Sequence, residues 1–263
     1  MILLDIIIPM KENYIPGIDN YCDRWCERCA FTARCNNFKN SNPSTSNEVD
    51  INNTAFWEHI TENFEKTIQL LHKTAKEHGV SLDKAMTTEE ENKYEERRIT
   101  VRTATKNHQL SKLCNEYQKM VMPFVKKNAL VDDKTQELME YVRLGIKTEK
   151  EVKTTNSAIS DCFDIIQWYL FFIGAKLQRA LNGKLEGESR GIDNRFQRDS
   201  EGSAKVTVIA IERSMAAWAK LFEIIPSIED EALAALSLLS RLKKKILEEF
   251  PQAMHFKRPG FDD

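Results

Sequence analysis

Four of the six cysteines in this 263-residue chain lie in one short stretch near its start. Cys22, Cys26, Cys29 and Cys35 follow the spacing C-x3-C-x2-C-x5-C within YCDRWCERCAFTARC, residues 21–35, which we call the cysteine block. Thiolate sulfur is a ligand of zinc and of iron–sulfur clusters, and such clusters are often held by one run of cysteines with short spacers. We therefore predict that these four cysteines bind a metal centre.

Three chemistries are compatible with such a cluster of thiols. A 4Fe–4S cluster is the interpretation we favour, because a short run of chain that wraps around a compact cubane can supply all four ligands. Zinc is the alternative, although structural zinc sites usually join two ligand pairs across a longer loop. Disulfides or reduced structural thiols are the third possibility. Disulfides are typical of secreted proteins, and nothing else in the sequence is typical of that class.

Part of the block resembles known iron–sulfur sequences. Cys26-x2-Cys29-x5-Cys35 resembles the end of the C-x6-C-x2-C-x5-C loop of endonuclease III-type DNA glycosylases, which implies the geometry of a 4Fe–4S site. It does not imply glycosylase activity, because the first spacer is three residues here and no glycine-rich helix–hairpin–helix with a catalytic lysine or aspartate follows. The first three cysteines also have the spacing of radical SAM enzymes, but Arg28 stands where that family has an aromatic residue.

The block also contains three arginines, Arg24, Arg28 and Arg34. A nearby positive charge lowers the pKa of a cysteine thiol and so favours the thiolate that binds metal. The alternative is that these side chains simply face water. Trp25 could stack a nucleobase beside the cysteines, or it could pack on the metal-binding turn, which is the commoner role for such an aromatic residue.

Composition and periodicity predict an all-α protein. Nine glycines and seven prolines are few for a β protein of this length, and hydrophobic residues make up 41% of the chain. We expect five or six helices around one core, with the cysteine block as an irregular N-terminal cap. Residues 1–52 form the cysteine-rich segment and a linker, and residues 53–263 form the helical bundle domain. The predicted helices cover about 54–77, 88–124, 131–145, 149–181, 203–224 and 227–250, and a polar loop covers about 184–201.

Charge and hydropathy limit the function classes. The formal net charge is −2, so there is no overall positive field that would favour nucleic-acid binding. The apolar start, MILLDIIIPM, is short, carries Asp5 and meets Pro9, and the apolar run 165–175 is also short for a membrane span. We expect a cytoplasmic protein without a membrane segment, whose partner is an unidentified protein or small molecule.

A second group of polar residues lies on apolar helices. Asp161 and Asp164 are one turn apart, and Lys176 follows them on the predicted helix 150–182. Antiparallel packing against the predicted helix 203–224 would bring Glu212 within about one turn of Lys176. Charges in apolar surroundings are costly unless paired, so these residues are either an internal salt-bridge network or the carboxylate and lysine pocket of a helical enzyme.

Four separate motifs resemble those of a family of bacterial helical proteins for which no activity is established. They are the cysteine block with YCDRWCERC, the sequence GSAKV, the sequence IERSMAAW and the closing FKRPGFD. The resemblance extends over most of the chain and implies a helical fold. It adds no catalytic residue. The two cysteines outside the block, Cys114 and Cys162, lie on apolar stripes and are expected in the core.

Overall fold

The computed structural model describes residues 13–41, 53–79, 81–82, 87–126, 129–190 and 194–262. Within these ranges the chain forms eight α-helices and no β-strand, which confirms the predicted all-α class. The helix count exceeds the predicted five or six. The helices are α1 (Asn36–Ser41), α2 (Thr54–Glu77), α3 (Thr88–Asn107), α4 (Gln109–Val125), α5 (Ala129–Arg143), α6 (Glu149–Arg190), α7 (Asn194–Ile224) and α8 (Glu229–Glu249).

The described chain divides into two compact units. The N-terminal unit contains residues up to 20 and then 24–98, with α1, α2 and the first half of α3. The C-terminal unit contains Tyr21–Asp23 and the chain from Ile99 onward, with the rest of α3 and α4 to α8. The predicted apolar start and polar linker lie largely outside the described residues, at 1–12 and 42–52.

The C-terminal unit is built on the pair α6 and α7, which pack against each other along their length. Helix α4 packs against α6 and α8, α8 packs against α7, and α5 packs against α6. The most deeply buried large residues of α6 are separated by seven, three, one, three, four and four positions, which keeps them on one helix face. They are Ile159, Ile166, Tyr169, Leu170, Ile173, Leu177 and Leu181, each at most 1% exposed.

Helix α6 is also apolar enough to be compared with a membrane span. By length and composition its Glu149–Gly187 portion meets the requirements for crossing a membrane, and about a third of the relevant window is buried. The core helix of a soluble protein meets the same requirements. The apolar run is thus part of a helix much longer than residues 165–175.

The predicted polar loop at about 184–201 is wrong. Helix α6 continues to Arg190 and α7 begins at Asn194. Tertiary contacts hold the extension in place of the expected stop at Asn182-Gly183. The side-chain Oδ1 of Asn182 accepts a hydrogen bond from Thr105 Oγ1 at 2.6 Å, and Lys184 donates to the backbone carbonyl and the carboxylate of Glu249. A turn signal in the sequence is overridden when the residues around it have partners elsewhere in the fold.

The predicted long helix 88–124 is two helices, α3 and α4, which divide at His108. Thr87 and Glu90 cap α3 reciprocally: Thr87 N–H donates to the Glu90 carboxylate at 2.9 Å, and Glu90 N–H donates to Thr87 Oγ1. His108 then caps α4, because its Nδ1 accepts from Leu110 N–H at 3.3 Å. Pro123 does not end α4 directly, since the helix continues to Val125.

A hydrogen-bonded triad lies inside the core between α4 and α7. Tyr117 is fully buried, its hydroxyl is 2.9 Å from Ser214 Oγ, and Trp218 Nε1 donates to the same hydroxyl at 3.2 Å. Burial raises the pKa of Tyr117, so the phenol stays neutral and remains able to donate. The triad pairs the polar atoms that these large side chains bring into an apolar interior.

Replacing Tyr117 by Phe should destabilise the protein by about 1–3 kcal/mol, because buried groups of Ser214 and Trp218 lose their partner. Urea unfolding followed by circular dichroism measures this change in the free energy of unfolding. Tyr141→Phe is the matched control, since the Tyr141 hydroxyl pairs with Glu137 at the surface. Equal effects of the two substitutions would contradict the importance of the buried triad.

Candidate metal centre

From Arg24 onward, the cysteine block is a succession of short turns in the N-terminal unit. Cys26–Arg28 and Thr32–Arg34 form single 3-10 turns, and each is followed by a cysteine in extended conformation, Cys29 and Cys35. Cys29 N–H donates to the Cys26 carbonyl at 3.1 Å, and Cys35 N–H donates to the Thr32 carbonyl at 3.2 Å. The backbone therefore turns sharply before each of these two thiols.

Two of the thiols accept hydrogen bonds from backbone amides. Phe31 N–H donates to Cys29 Sγ, and Phe38 N–H donates to Cys35 Sγ, both at 3.4 Å. Backbone donors aimed at sulfur stabilise negative charge on it, and hydrogen bonds of this kind tune the ligands of iron–sulfur clusters. Each sulfur thus has a donor from a residue that follows it in the chain.

All six cysteines carry free thiols, and the four of the block are half-buried. Cys26, Cys29 and Cys35 belong to the N-terminal unit, whereas Cys22 belongs to the C-terminal unit. In the part of the chain that the structure describes, no three side chains of histidine, cysteine, aspartate or glutamate come together as a group that could hold a metal ion. The donor chemistry of the block fits a thiolate-bound metal, and the four-cysteine site stays a prediction from spacing.

The arginines of the block have partners within the N-terminal unit. The Arg28 guanidinium lies 4.1 Å from the centre of the Trp25 ring, a cation–π contact. Arg24, which has a left-handed backbone at φ 61°, pairs with Asp19 at 3.7 Å. Arg34 Nε donates to the Asn13 carbonyl at 3.1 Å. Trp25 therefore packs against an arginine of the same turn.

The three residues Tyr21–Asp23, which we call the anchor segment, are fixed to helices of the C-terminal unit. The Asp23 carboxylate accepts hydrogen bonds from Tyr169 Oη at 2.7 Å and from the Arg213 guanidinium. The Asp23 carbonyl accepts a third bond, from Trp168 Nε1 at 3.1 Å. Burial and the bond to Asp23 raise the pKa of Tyr169 to about 12, so the phenol acts as a donor.

Tyr21 holds the other end of the anchor segment. Its hydroxyl donates to Asp199 Oδ1 at 3.1 Å, and Arg179 donates two hydrogen bonds to the same carboxylate. Its ring lies against that of Phe256, with 4.6 Å between centroids. Gly202 provides the space for this contact, because a Cβ atom there would come within 2.5 Å of the Tyr21 ring and 2.8 Å of the Phe256 ring. Both neighbours of Cys22 are thus held by side chains of α6 and α7.

The C-terminal tail is fixed to the same part of α7. Lys205, only 9% exposed, donates to the Phe256 carbonyl at 2.6 Å and pairs with Asp262 at 2.7 Å. Arg258 donates to both carboxylate oxygens of Asp262, at 2.8 and 3.0 Å. These hydrogen bonds from Arg258, and then that from Lys205, hold the pKa of Asp262 far below its usual range.

Sequence analysis named the four cysteines but missed the residues that hold the two neighbours of Cys22. Tyr21, Asp23, Asp199 and Arg213 were not among the predicted site residues. Two features of the sequence could have indicated them: Tyr21 and Asp23 lie on either side of Cys22, and Arg213 lies in the motif IERSMAAW. Three of the four resemblance motifs, GSAKV, IERSMAAW and FKRPGFD, contribute contacts to the anchor segment or to the tail beside it.

The predicted polar residues of α6 and α7 lie in different surroundings. Asp161 and Asp164 are exposed on α6. Lys176 is buried with its ammonium 5.6 Å from the centre of the Phe172 ring, a cation–π contact. Glu212 pairs with Lys243 of α8 at 2.7 Å. The salt bridge that Glu212 makes therefore links α7 to α8, and the pocket for an enzyme stays a prediction.

The burial of the thiols predicts a clear order of chemical reactivity. Alkylation at neutral pH should modify Cys22, Cys26, Cys29 and Cys35 in the folded, metal-free protein, because they are half-exposed. Cys114 and Cys162 should react only after unfolding, since burial raises the pKa of Cys114 to about 12 and also raises that of Cys162.

Peptide mapping by mass spectrometry after iodoacetamide treatment measures this order, with and without denaturant. The unfolded sample is the control, since all six thiols should react there. Modification of Cys114 in the folded protein as fast as that of Cys29 would contradict the described burial.

Asp262→Asn should lower the midpoint of thermal unfolding at neutral pH. The pKa of the Asp262 carboxylate is lower in the folded protein than in the unfolded chain. Its contribution to the free energy of unfolding is therefore complete above the unfolded pKa of about 3.9, and it is lost as the pH falls through the pKa of the folded state. The difference in the unfolding midpoint between the wild type and Asp262→Asn should therefore be largest at pH 7 and should decrease in strong acid.

Calorimetry from pH 7 to pH 2 measures this dependence. Glu248→Gln serves as the control, because Glu248 is exposed and its ion pair with Lys244 is 4.0 Å long. A difference between wild type and Asp262→Asn that is independent of pH would show that the contact with Arg258 and Lys205 is not electrostatic in origin.

Comparison with known proteins gives no relative on which to base an assignment. No protein-family model, no curated protein and no solved structure matches the chain. The function is accordingly argued from the chain's own residues.

Proposed function

We propose that the protein binds a metal centre, in the first place a 4Fe–4S cluster, through Cys22, Cys26, Cys29 and Cys35, with a redox, sensing or structural role. The observation that carries this proposal is the pair of backbone N–H groups directed at the sulfurs of Cys29 and Cys35. A second supporting observation is the close spacing of the four cysteines within residues 22–35.

The hydrogen bonds to sulfur support a ligand role over that of a plain buried thiol. A thiolate carries a negative charge, and an N–H donor lowers the cost of keeping that charge. A buried structural cysteine behaves as a small hydrophobic residue, as Cys114 does at 2% exposure. The block thiols are half-exposed, so a metal can reach them from solvent.

Iron–sulfur is preferred over zinc because of the ligand spacing. One tight run with spacers of three, two and five residues is typical of cluster ligands, whereas structural zinc sites usually combine two separated pairs. Zinc is the alternative, and it would make the block a stabilising staple of a partner-binding protein, since four cysteine ligands leave no open position for a substrate. When bound, an iron–sulfur cluster would instead supply one-electron redox chemistry.

The proposal includes a reducing environment. Thiols that bind metal must remain reduced, and the cytoplasm keeps them so. We therefore also propose a cytoplasmic location, and a protein or small molecule as the partner.

Substitution of the block cysteines tests the proposal. Cys26→Ser and Cys35→Ser should each lower the metal content of protein purified without oxygen by at least severalfold, because serine oxygen is a poor ligand for soft metals. Elemental analysis per chain measures this content.

Cys162→Ser is the matched control, because Cys162 lies in the helical core and outside the block. Circular dichroism checks that each variant remains helical. Equal metal content in the wild type, Cys26→Ser and Cys35→Ser, or no metal in any of them, would refute the proposal.

A further inference from the structure

Cys22 lies between two residues that are each attached to helices of the C-terminal unit. These neighbours are Tyr21 and Asp23, the first and last residues of the anchor segment. The side chains of α6 and α7 that bind Asp23 differ from the one that binds the Tyr21 hydroxyl, so the two attachments are separate. A single attachment would be enough to hold the segment on the helices. Two attachments, one on each side, also restrict the residue between them.

The attachment of Asp23 is a closed set of hydrogen bonds. Tyr169 Oη donates to the Asp23 carboxylate at 2.7 Å. The Arg213 guanidinium donates to that carboxylate and also to Tyr169 Oη, the latter at 2.7 Å. Trp168 Nε1 donates to the Asp23 carbonyl oxygen at 3.1 Å. The backbone and the side chain of Asp23 are thus both held, and hydrogen bonds that share their donors and acceptors strengthen one another.

The attachment of Tyr21 combines a hydrogen bond with close packing. Its hydroxyl donates to Asp199 Oδ1 at 3.1 Å. Its ring lies beside that of Phe256, and a Cβ atom at Gly202 would come within 2.5 Å of it. The ring therefore occupies a place on α7 that is open because residue 202 has no side chain.

Cys22 keeps little freedom between these two attachments. With both neighbouring residues held, its thiol can move mainly by rotation about χ1. The residue is half-buried, so a metal ion can reach it from solvent. A ligand that is already held in place when the metal arrives loses less conformational freedom on binding, and the affinity rises accordingly.

We propose that Asp23 is a positioning residue of the metal centre, which holds Cys22 ready to bind metal through the hydrogen bonds that it accepts from α6 and α7. This role rests on the proposed function, since Cys22 is one of the four proposed ligands. The affinity for metal is then coupled to the contact of the anchor segment with the two helices. The coupling is reciprocal, so a metal bound at Cys22 stabilises that contact by the same factor.

Titration of the metal-free protein with Zn²⁺ against a competing chelator, without oxygen, tests the positioning role. Zinc is a suitable probe because it binds cysteine thiolates, as an iron–sulfur cluster does. Arg213→Gln and Tyr169→Phe each remove a hydrogen bond to Asp23 and leave all four cysteines in place. Each should raise the dissociation constant for Zn²⁺ by about 10- to 100-fold, the usual effect of losing a contact that orients a metal ligand.

Lys243→Gln is the matched control for Arg213→Gln. Lys243 pairs at 2.7 Å with Glu212, the residue before Arg213, and this pair does not touch the anchor segment. The control should bind Zn²⁺ like the wild type. Circular dichroism and urea unfolding of the metal-free proteins check that every variant folds. An equal loss of affinity in Lys243→Gln and Arg213→Gln would overturn the positioning role.

The same titration in a Cys22→Ser background separates positioning of the ligand from general stabilisation of the fold. Arg213→Gln should change the dissociation constant little in this background, because the ligand through which it acts is absent. If Arg213→Gln weakens binding by the same factor with and without Cys22, the contact does not act through this thiol and the positioning role is wrong.

Two further results distinguish the positioning role from the proposed function. If Arg213→Gln and Tyr169→Phe bind Zn²⁺ like the wild type while Cys26→Ser binds it weakly, the positioning role is refuted and the metal site remains. If the wild type itself binds no Zn²⁺, both are refuted.

Discussion

The arrangement of the C-terminal unit depends on the complete burial of one stretch of α7, residues 200–208. From Ser200 to Val208 every residue of this helix is buried, although the stretch contains Glu201, Ser203 and Lys205. A charged group in such a position is costly unless it is paired. Lys205 is paired with a backbone carbonyl and with Asp262, and this requirement fixes the C-terminal tail against the helix.

The same constraint explains how the anchor segment is held. Because Gly202 has no side chain, the rings of Tyr21 and Phe256 both pack directly on the helix backbone. Asp199 and Arg213, at either end of this region, bind Tyr21 and Asp23. Asp23, which in the sequence is only a polar neighbour of Cys22, thus accepts three hydrogen bonds from side chains of α6 and α7. Cys22 lies between Tyr21 and Asp23 in the sequence.

The sequence was sufficient for the fold class and for most helices, because the apolar residues of α4, α6, α7 and α8 recur at helical spacing. It was insufficient where tertiary contacts determine whether a helix continues or which of its faces is buried. Asn182-Gly183 signals a stop in isolation, yet Thr105 and Glu249 hold that part of α6 in a helix. Periodicity also does not show which apolar face is covered: the predicted helix 54–77 was expected to pack around the core, yet Phe64 in α2 is 65% exposed.

The candidate site was also predicted only in part: the sequence indicated the cysteines but not the partners of the anchor segment. Cysteine spacing names the possible ligands, since it depends only on the order of residues along the chain. The partners of the anchor segment come from α6 and α7, more than 140 residues away for Asp23 and its contacts. No local pattern encodes pairs at that separation, and only the folded chain brings them together.

The central claim is that the cysteine block holds an iron–sulfur cluster, and the absorption spectrum of protein purified without oxygen tests it most directly, together with its content of acid-labile sulfide. We predict a brown protein with broad visible absorption, about four irons and about four sulfides per chain, and loss of the visible bands on reduction. A colourless protein with one zinc and no sulfide would contradict the cluster and leave the block as a structural staple. Free thiols without any metal would contradict both forms of the proposal.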